Sequence, residues 1–367
     1  MSLVVGVDAG GTSTRAIVVD AAGVVLGSAA GEGANPNAHS PEVAAGRIAA
    51  AIATALDGRT GVAAGVVGLA GVSKLSDPAV AAVFEAAWRR IGLGGLVRPV
   101  ADAEVAYASA TSAPDGTVLV AGTGSIACRI RGRRTTARAG GYGWLLGDEG
   151  SAYWLGREAV RSTLAALRGG AELTGLAAAV LAAAAEPSAV DAGLGRAAGD
   201  PGPDAAEGST KATHPAMVTA AGADGAGADS GHPDFHSLHR GLATEAGRAA
   251  AANALITKAN AEPPVRLARF APFVSAAAAA GEPAAADIVT RAADSLVALA
   301  LATREPGEST PLVLVGSVLS GSSPVGAAVR AGLPGLDVLT SSDGVLGAAW
   351  LAAVEVWGET APRPSRS

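Results

Sequence analysis

The sequence predicts an α/β protein built from two domains of related design, and two glycine-rich hairpins are the main reason. In residues 6–20, GVDAGGTSTRAIVVD, two apolar runs flank a Gly-Gly-Thr-Ser turn. In residues 118–130, VLVAGTGSIACRI, two apolar runs flank a Gly-Thr-Gly-Ser turn. Apolar runs separated by short glycine-rich turns are typical of β-hairpins. Because a chain of 367 residues is long enough for two cores, the repeated hairpin indicates an internal duplication.

Both turns have the composition of a phosphate-binding loop. Glycine lets the backbone approach a ligand closely, and exposed N–H groups together with hydroxyls form a concave site for anions. A purely structural turn is the alternative for either hairpin alone, whereas two such turns together favour ligand binding. The residues concerned are Gly10, Gly11, Thr12 and Ser13 in the first turn, and Gly122, Thr123, Gly124 and Ser125 in the second.

The elements that follow the first hairpin complete one α/β domain, which we predict to span residues 1–115. Strands are predicted at 3–7, 15–20, 23–28, 62–69 and 97–101, and helices at 41–56 and 77–91. Ser40 is the expected N-cap of the first helix, and Ser76 or Asp77 that of the second. Three meander strands followed by alternating helix and strand describe an RNase H-like domain.

Two aspartates come at the ends of predicted strands of this domain. Asp8 ends the first strand, and Asp102 follows the strand at 97–101. Ligands of open α/β sheets gather outside the carboxyl ends of strands. N-capping of a helix at 103–111 is the alternative role for Asp102. Its position relative to the two hairpins favours a functional role.

The second domain is predicted to span residues 116–344 and to begin with its own meander. The segment 140–156, GGYGWLLGDEGSAYWLG, leads into a helix that reaches about residue 167. Acidic residues such as Asp148 and Glu149 near a helix start ordinarily complement the helix dipole. A capping role for these acidic residues would not account for the glycines and aromatic residues around them, which include Tyr142 and Trp144.

The remainder of the second domain combines an insertion with a helical arm. Residues 187–247 are rich in Ala, Gly, Asp and Pro and have little periodicity, which predicts a low-complexity insertion. Its His232, His236 and His239 are either exposed loop residues or, given their helical spacing, metal ligands or sugar-contacting lid residues. Helical patterns follow at 249–261, 263–281 and 283–303, then a strand at 311–315, a turn at Gly316-Ser317 and a helix at 324–331.

The end of the chain is predicted to be a buried helix followed by a disordered tail. Residues 345–357 are apolar on most faces, so this helix must be buried, and we expect it to pack on the first domain. Residues after 358 have the composition of a disordered tail.

Composition excludes several classes of protein. Apolar residues make up 49% and charged residues 16% of the chain, which excludes global disorder. The longest apolar stretches are alanine-rich and shorter than the roughly 20 residues of a membrane-spanning helix. No basic segment followed by an apolar core opens the chain, so we expect a cytoplasmic protein. The net charge of −6 offers no basic surface for nucleic acid, which leaves a small molecule as the expected partner.

The single cysteine, Cys128, excludes a disulfide framework, a four-cysteine zinc site or an iron–sulfur cluster supplied by this chain alone. We expect it to pack in a strand as a small apolar residue.

Taken in order, DAGGTST, the strand-end Asp102, GTGS, GDEGSAYWLG and VGS resemble the BadF/BadG/BcrA/BcrD family, and within it the N-acetylglucosamine kinases. This family is part of the actin, hexokinase and heat-shock-chaperone ATPase superfamily. The resemblance implies two RNase H-like domains that flank a cleft, with a helical insertion in the second. It also implies ATP-dependent phosphorylation of the 6-hydroxyl of N-acetylglucosamine, and a homodimer.

The resemblance further implies a role for each matching residue. Asp8 would hold Mg²⁺ through water, the two glycine turns would hold the phosphates of ATP, and Asp102 would be the general base on the sugar's 6-hydroxyl. Gly316 and Ser317 would contact adenosine. The remaining matches, Asn35, Gly141 and Asp148, would contact the sugar. Ala70 lies where animal N-acetylglucosamine kinases carry a sugar-contacting serine, so the identity of the sugar stays open.

Three other functions remain open from the sequence. A glucosamine kinase of the same family would need the same residues. A non-catalytic sugar-binding regulator would not require Asp8 and Asp102. A dehydratase-activating ATPase would use cysteines from two subunits to hold an iron–sulfur cluster, which the lone Cys128 in a predicted interior strand disfavours. A P-loop ATPase is excluded because no G-x-x-x-x-G-K-[ST] motif occurs.

Overall fold

The computed structural model describes residues 2–170, 172–173, 175–186, 242–341 and 343–365. Two compact units are present, Met1–Ser162 with Glu262–Ser367, and Thr163–Ala261. Both sheets lie in the first unit. The predicted domain division at residue 115 and the bounds of the insertion therefore stay predictions. His232, His236 and His239 lie outside the described residues.

The first sheet has the predicted meander at its start and two parallel strands at its end. Its strand order is β3-β2-β1-β4-β5, with β1, β2 and β3 antiparallel and β4 and β5 parallel to β1. The strands are β1 Leu3–Ala9, β2 Ser13–Asp20, β3 Val25–Glu32, β4 Val62–Leu69 and β5 Val97–Ala101.

Helices α1 (Pro41–Leu56) and α2 (Pro78–Arg90) begin at the predicted capping residues. The Ser40 hydroxyl accepts the N–H of Val43, and the Asp77 carboxylate accepts the N–H of Ala79. Each helix starts with proline, whose missing N–H would be unpaired in the first turn anyway. Apolar residues of both helices form a core on one face of the sheet.

The second sheet repeats the topology of the first. Its order is β10-β9-β6-β7-β8, so β6, β7 and β8 form an antiparallel meander and β9 and β10 continue parallel to β6. The shared strand order is what the repeated hairpin predicted. The strands are β6 Gly116–Ala121, β7 Ser125–Arg131, β8 Arg134–Gly140, β9 Leu312–Val315 and β10 Val338–Thr340. Cys128 is buried in β7, as expected.

The remaining described helices follow the predicted pattern with one break, and a further helix at 175–185 was not predicted. They are α3 Asp102–Ala110, α4 Ala152–Gly169, α5 Gly175–Ala185, α6 Glu245–Ala261, α7 Ala271–Ala279, α8 Pro283–Leu301, α9 Pro324–Ala331 and α10 Gly344–Trp357, with 3₁₀ turns at Val72–Ser76, Pro264–Phe270 and Ser317–Leu319. The helix predicted at 263–281 is a 3₁₀ segment followed by α7, because Pro264 and Pro272 cannot donate backbone hydrogen bonds. Among the described helices, none is both long and apolar enough to cross a bilayer.

Helices α3 and α10 cover the other face of the first sheet, and α3 also packs on the second sheet. Val105 of α3 and Trp350 of α10 belong to one core with Val4 and Ile17. The opposite side of α3 contributes Tyr107 to the core of the second sheet. The contact of α10 with β1 is very close: a Cβ added at Gly6 would lie 2.3 Å from the backbone nitrogen of Ala349.

The expectation of a disordered tail after residue 358 is wrong for residues 359–365. The indole N–H of Trp350 donates to the carbonyl of Ala361 at 3.3 Å, and Ala361 is buried. Arg133 and Arg363 each place a guanidinium over the Trp350 ring, at 5.1 and 4.6 Å from its centroid. Glu359 forms an ion pair with Arg133. The polar composition suggested disorder, whereas packing around one tryptophan orders the segment.

Candidate active site

Asp8 lies opposite Arg15 in the β1–β2 pairing, so both side chains project from the same face of the sheet. The guanidinium of Arg15 donates to the Asp8 carboxylate at 3.0 Å and lies 3.3 Å from the Asp343 carboxylate. Burial raises the pKa of Asp8 above its usual 3.8, Arg15 opposes the rise, and the charges of Asp102 and Asp343 add to it. Four charged groups therefore share one small region.

Asp102 is the first residue of α3 and not its N-cap. Ala101 occupies the cap position and makes no side-chain hydrogen bond, because an alanine has none to offer. The Asp102 carboxylate accepts the N–H of the next residue, Ala103, at 2.9 Å. The residue is exposed, yet the surrounding protein removes enough water from its carboxylate to raise its pKa above 3.8, with the Ala103 N–H and then Arg138 opposing the rise. A capping role does not explain this placement.

The two aspartates line one cavity of about 430 Å³. Asp8 lies near the end of β1, and Asp102 follows the end of β5 as the first residue of α3. Both positions agree with the rule that ligands of open α/β sheets bind outside the carboxyl ends of strands. Gly316 and Ser317, the predicted adenosine turn, line the same cavity. The structure thus brings together residues that are more than 300 positions apart in the chain. Serine and threonine hydroxyls complete the wall, at Ser320, Thr340 and Ser341.

The first glycine turn is closed by a hydrogen bond from the N–H of Gly10 to the carbonyl of Ser13, at 2.9 Å. Gly11, Thr12 and Ser13 are exposed. The turn is supported from below by Gly33, where an added Cβ would lie 2.1 Å from the carbonyl oxygen of Gly11. The backbone of this turn is therefore open to a ligand on one side and tightly packed on the other.

The second glycine turn is fixed to the start of α4. The carbonyls of Gly122 and Thr123 accept the N–H groups of Ala152 and Tyr153, at 2.8 and 3.3 Å. A hydrogen bond of 3.0 Å from Gly122 N–H to the Gly124 carbonyl closes the turn. Because these carbonyls are already paired, ligand binding at this turn would depend on its remaining N–H and hydroxyl groups.

Asp148 holds the end of the second turn in place. Its carboxylate, which is almost fully buried, accepts the N–H of Ser125 at 3.0 Å, and the Ser125 hydroxyl donates to the carbonyl of Glu149 at 2.9 Å. A Cβ at Gly124 would lie 2.8 Å from the same carboxylate, so glycine is required there. Both polar groups of Ser125 are thus engaged within the protein. Sequence reasoning suggested neither the Asp148–Ser125 contact nor its structural consequence.

Asn35 and Gly141 lie in two further loops. The amide oxygen of Asn35 accepts the N–H of Asn37 at 2.8 Å and would be 2.7 Å from a Cβ at Gly71, the residue after Ala70. Gly141 has a φ of 71°, and its N–H donates to the carbonyl of Ser125 at 2.9 Å. Gly141 therefore joins the Asp148 loop to the second glycine turn, while Asn35 belongs to the loop that follows β3.

Gly316 connects the adenosine turn to the second glycine turn. Its φ is 104°, and a Cβ there would lie 2.3 Å from the carbonyl oxygen of Ala121, the residue before Gly122. Only glycine permits this contact. Ser317 begins the short 3₁₀ turn and is exposed.

Sequence reasoning missed two charged residues of the cavity, Arg15 and Asp343. The hairpin register that pairs Leu3 with Asp20 also pairs Asp8 with Arg15, so the symmetry of the first hairpin was a usable signal. Asp343 immediately precedes α10, and its contact with Arg15 depends on where α10 packs. No sequence signal could locate it.

Two α/β halves of equal topology, with strand-end carboxylates and the Gly316-Ser317 turn around one cavity, define a protein of the actin-like ATPase fold. Neither of the two glycine turns is among the residues that line this cavity. The chain belongs to the BadF/BadG/BcrA/BcrD ATPase family, whose model matches residues 5–352. The resemblance inferred from the motifs is thereby confirmed.

Two solved structures share this fold. A candidate N-acetylglucosamine kinase from Chromobacterium violaceum aligns with a TM-score of 0.62 and 22% identity over 95% of this chain and 98% of its own. Another from Porphyromonas gingivalis aligns with a TM-score of 0.60 and 19% identity, over 97% and 99%. At such identities the likeness concerns the fold.

A curated relative has a shorter match. The N-acetylmuramic acid/N-acetylglucosamine kinase of Clostridium acetobutylicum is 35% identical over 98 residues, which is 27% of this chain and 31% of the relative. The matched segment thus spans less than a third of that protein.

Proposed function

We propose that this protein is an ATP-dependent amino-sugar kinase that phosphorylates the 6-hydroxyl of N-acetylglucosamine. The observation that carries the proposal is the shared cavity in which Asp8, Asp102 and the Gly316-Ser317 turn meet. Phosphoryl transfer asks the protein mainly to position the reactants and to stabilise charge. A base that shares a cavity with the proposed nucleotide turn fits what this chemistry needs.

Asp102 is the proposed general base. Its carboxylate borders the cavity at the start of α3, where a sugar hydroxyl could approach it. Although the residue is exposed at the cavity, loss of water around its carboxylate raises its pKa, which makes it a stronger proton acceptor than a fully hydrated aspartate. Accepting the hydroxyl proton as the oxygen attacks the terminal phosphate is the step that we assign to it.

Asp8 is the proposed residue that holds Mg²⁺, through water. Magnesium prefers oxygen ligands and binds through one or two carboxylates together with substrate phosphates. Within the described residues no group of three or more His, Cys, Asp or Glu side chains could hold a metal unaided. A carboxylate that lines the cavity near a phosphate-binding turn fits an ion that arrives with the nucleotide. Bound Mg²⁺ would neutralise charge on the phosphates.

The two glycine turns are proposed to hold the phosphates, and Gly316 with Ser317 the adenosine. The exposed backbone of Gly11, Thr12 and Ser13 supports this role for the first turn. In the second turn, Gly122, Thr123 and Gly124 would supply the contacts. The role of Ser125 is then indirect, since its N–H and hydroxyl are already paired.

The proposed sugar site comprises Asn35, Gly141 and Asp148. A site that hydrogen-bonds the hydroxyls of a sugar discriminates strongly against analogues that lack one, because the missing hydroxyl leaves a buried polar group of the protein unpaired. Asp148 is suited to this because its carboxylate is buried and held in place by Ser125. N-acetylglucosamine is favoured over glucosamine by the resemblance, while Ala70 beside the Asn35 loop is the position where a preference for another sugar would arise.

A substrate panel tests the proposal. We expect ADP release, measured with a coupled assay, to have its highest kcat/KM with N-acetylglucosamine among N-acetylglucosamine, glucosamine, glucose and N-acetylmannosamine. NMR of the product should place the phosphate on the 6-oxygen. Glucosamine as the best substrate would reverse the preference, and glucose would contradict the amino-sugar assignment. Turnover of no hexose would favour a sugar-binding regulator.

The dehydratase-activating alternative is disfavoured by the structure. Cys128 is buried in β7, and burial raises the pKa of its thiol to about 11, so it is poorly suited to ligate a cluster shared with a second subunit. A homodimer and a cytoplasmic location remain expectations from the sequence.

A further inference from the structure

Arg47, in the second turn of α1, joins the two ends of the Asn35 loop, which comprises residues 33–39. One terminal nitrogen of its guanidinium donates to the carbonyl of Gly33 at 2.7 Å and lies 3.1 Å from Nε2 of His39. Because an arginine has no acceptor, the ring nitrogen of His39 must accept this hydrogen bond. The other terminal nitrogen forms an ion pair with Glu32, at the end of β3. A single side chain thus closes the loop.

The contacts of Arg47 with Gly33 and His39 hold the loop more firmly than the ion pair does. The side chain of Glu32 is 75% exposed, and exposed ion pairs contribute little because water screens them. The side chain of Arg47 is only 29% exposed, and Gly33 is buried. A hydrogen bond from a charged donor at such a position is stronger than one between neutral groups. The geometry of the loop therefore depends mainly on its carbonyl and imidazole contacts with Arg47.

The first residues of the Asn35 loop support the first glycine turn. The N–H of Ala34 donates to the carbonyl of Gly10 at 3.0 Å. Gly33 packs so closely on the turn that an added Cβ would lie 2.1 Å from the carbonyl oxygen of Gly11. A displacement of Gly33 and Ala34 would therefore move the backbone of the turn. Arg47 does not line the cavity, and Gly33 connects it to the turn.

The last residues of the same loop orient the side chain of Asn35. Its amide oxygen accepts the N–H of Asn37 at 2.8 Å, and its backbone carbonyl accepts the N–H groups of Ala38 and His39 at 3.0 and 3.1 Å. Within the part of the chain that the structure describes, no hydrogen bond engages Nδ2 of Asn35. The two donors of that nitrogen are therefore available to a ligand. Since His39 is held by Arg47, the turn that orients Asn35 is held as well.

We propose that Arg47 is a positioning residue that fixes the Asn35 loop and the first glycine turn in one geometry. It acts on the sugar through Asn35 and on the nucleotide through Gly33, and it touches neither ligand. The proposal rests on the proposed function for the identity of the two ligands. Because saturating ligand would bring the loop back into place, loss of Arg47 should weaken binding and leave the chemical step nearly unchanged.

Hydrogen exchange of the full chain tests the structural part of the proposal. We expect Arg47→Gln to accelerate exchange about 10- to 100-fold at the protected amides of Ala34, Ala38 and His39, because the loop loses its charged donor. Exchange in β6 and β7 should stay as in wild type. Arg47→Lys should give a smaller acceleration, since an ammonium lacks the planar fork that reaches the carbonyl and the imidazole together.

Ligand measurements on the same proteins test the functional part. In Arg47→Gln, ADP affinity with Mg²⁺ present, measured by calorimetry, should fall about 10-fold. The KM for N-acetylglucosamine should rise about 10- to 100-fold, while kcat stays within about threefold of wild type. Arg47→Lys should recover part of both losses.

Arg59→Gln is the matched control. Arg59 also donates to a backbone carbonyl, that of Leu56 at 3.1 Å, and lies 3.6 Å from the carboxylate of Asp57, but these contacts are at the opposite end of α1. This variant should leave loop exchange, ADP affinity and KM unchanged. Thermal melts should show that every variant is folded.

The assignment is wrong if loop exchange in Arg47→Gln is unchanged, or if it rises while both affinities stay at their wild-type values. It is equally wrong if exchange rises by the same factor throughout the chain, because Arg47 would then contribute only to global stability. A wild-type protein that phosphorylates no hexose would contradict the proposed function, whereas exchange and ADP affinity would still decide the role of Arg47 at the glycine turn. Failure of the wild-type protein to bind ADP would overturn both.

Discussion

Replacing Gly33 by alanine should disable the first glycine turn without touching a ligand directly. The added Cβ would lie 2.1 Å from the carbonyl oxygen of Gly11 and 2.8 Å from the backbone nitrogen of Thr12, whereas ordinary contacts begin at 3.4 Å. The turn must therefore move by about 1 Å, and backbone cannot give way as a flexible side chain can. Overpacking of this kind costs about 1–3 kcal/mol of folding stability.

The same displacement should weaken nucleotide binding. If the turn donates N–H groups to phosphate, a shift of about 1 Å removes hydrogen bonds to a charged group, and ADP affinity should fall about 10- to 100-fold. Gly31→Ala is the control, because Gly31 lies on the same strand end and an added Cβ meets nothing within 4 Å. Calorimetry and thermal melts of both variants are the assays. Unchanged ADP affinity in a folded Gly33→Ala protein would refute the phosphate-loop assignment.

Four further predictions concern the base, the pH dependence of its effect on stability, the sugar loop and the tail. Asp102→Asn should lower kcat about 10²- to 10⁴-fold while ADP affinity is unchanged, and near-normal kcat would refute the base assignment. Because loss of water around its carboxylate raises the pKa of Asp102, the folded protein holds this proton more tightly than the unfolded chain, whose pKa is 3.8. The ionised carboxylate therefore lowers the free energy of unfolding as the pH rises above 3.8. Asp102→Asn should have a higher melting temperature than wild type near neutral pH, and the difference should shrink as the pH falls toward 3.8. Asp148→Ala should lower the free energy of unfolding by about 1–3 kcal/mol because the Ser125 N–H loses its acceptor. Asp148→Asn can keep that hydrogen bond and should be less destabilising. Equal denaturation midpoints for the two variants would contradict this prediction. Truncation after Gly358 should lower stability by about 1–3 kcal/mol through loss of the Ala361 and Glu359 contacts, and an unchanged urea midpoint would show that the packed tail contributes nothing.

Local sequence signals were sufficient for most elements of both sheets. The helix at 41–56 has its predicted bounds and its predicted cap, because a serine followed by proline and a periodic apolar face are local features. The 263–281 segment departed from prediction because closely spaced prolines favour a 3₁₀ turn over a continuous helix. The tail departed because its order comes from Trp350 and Arg133, which are remote in sequence.

The candidate site was only partly accessible from the sequence. The sequence could place Asp8 and Asp102 at the same edge of the first sheet because the ends of its parallel strands meet there. The order of the motifs along the chain was enough to indicate the family. The sequence could not predict two contacts of the site, the hydrogen bond between Ser125 and Asp148 and the ion pair between Arg15 and Asp343. Each contact joins segments whose separation depends on how the loops and α10 pack. Hydrophobic period and turn chemistry are properties of neighbouring residues, so the sequence alone determined the glycine turns, the strands of the first sheet and most of the described helices. Distances between charged groups depend on packing across the whole first unit, and the tertiary structure alone decided which carboxylates share a cavity with Arg15.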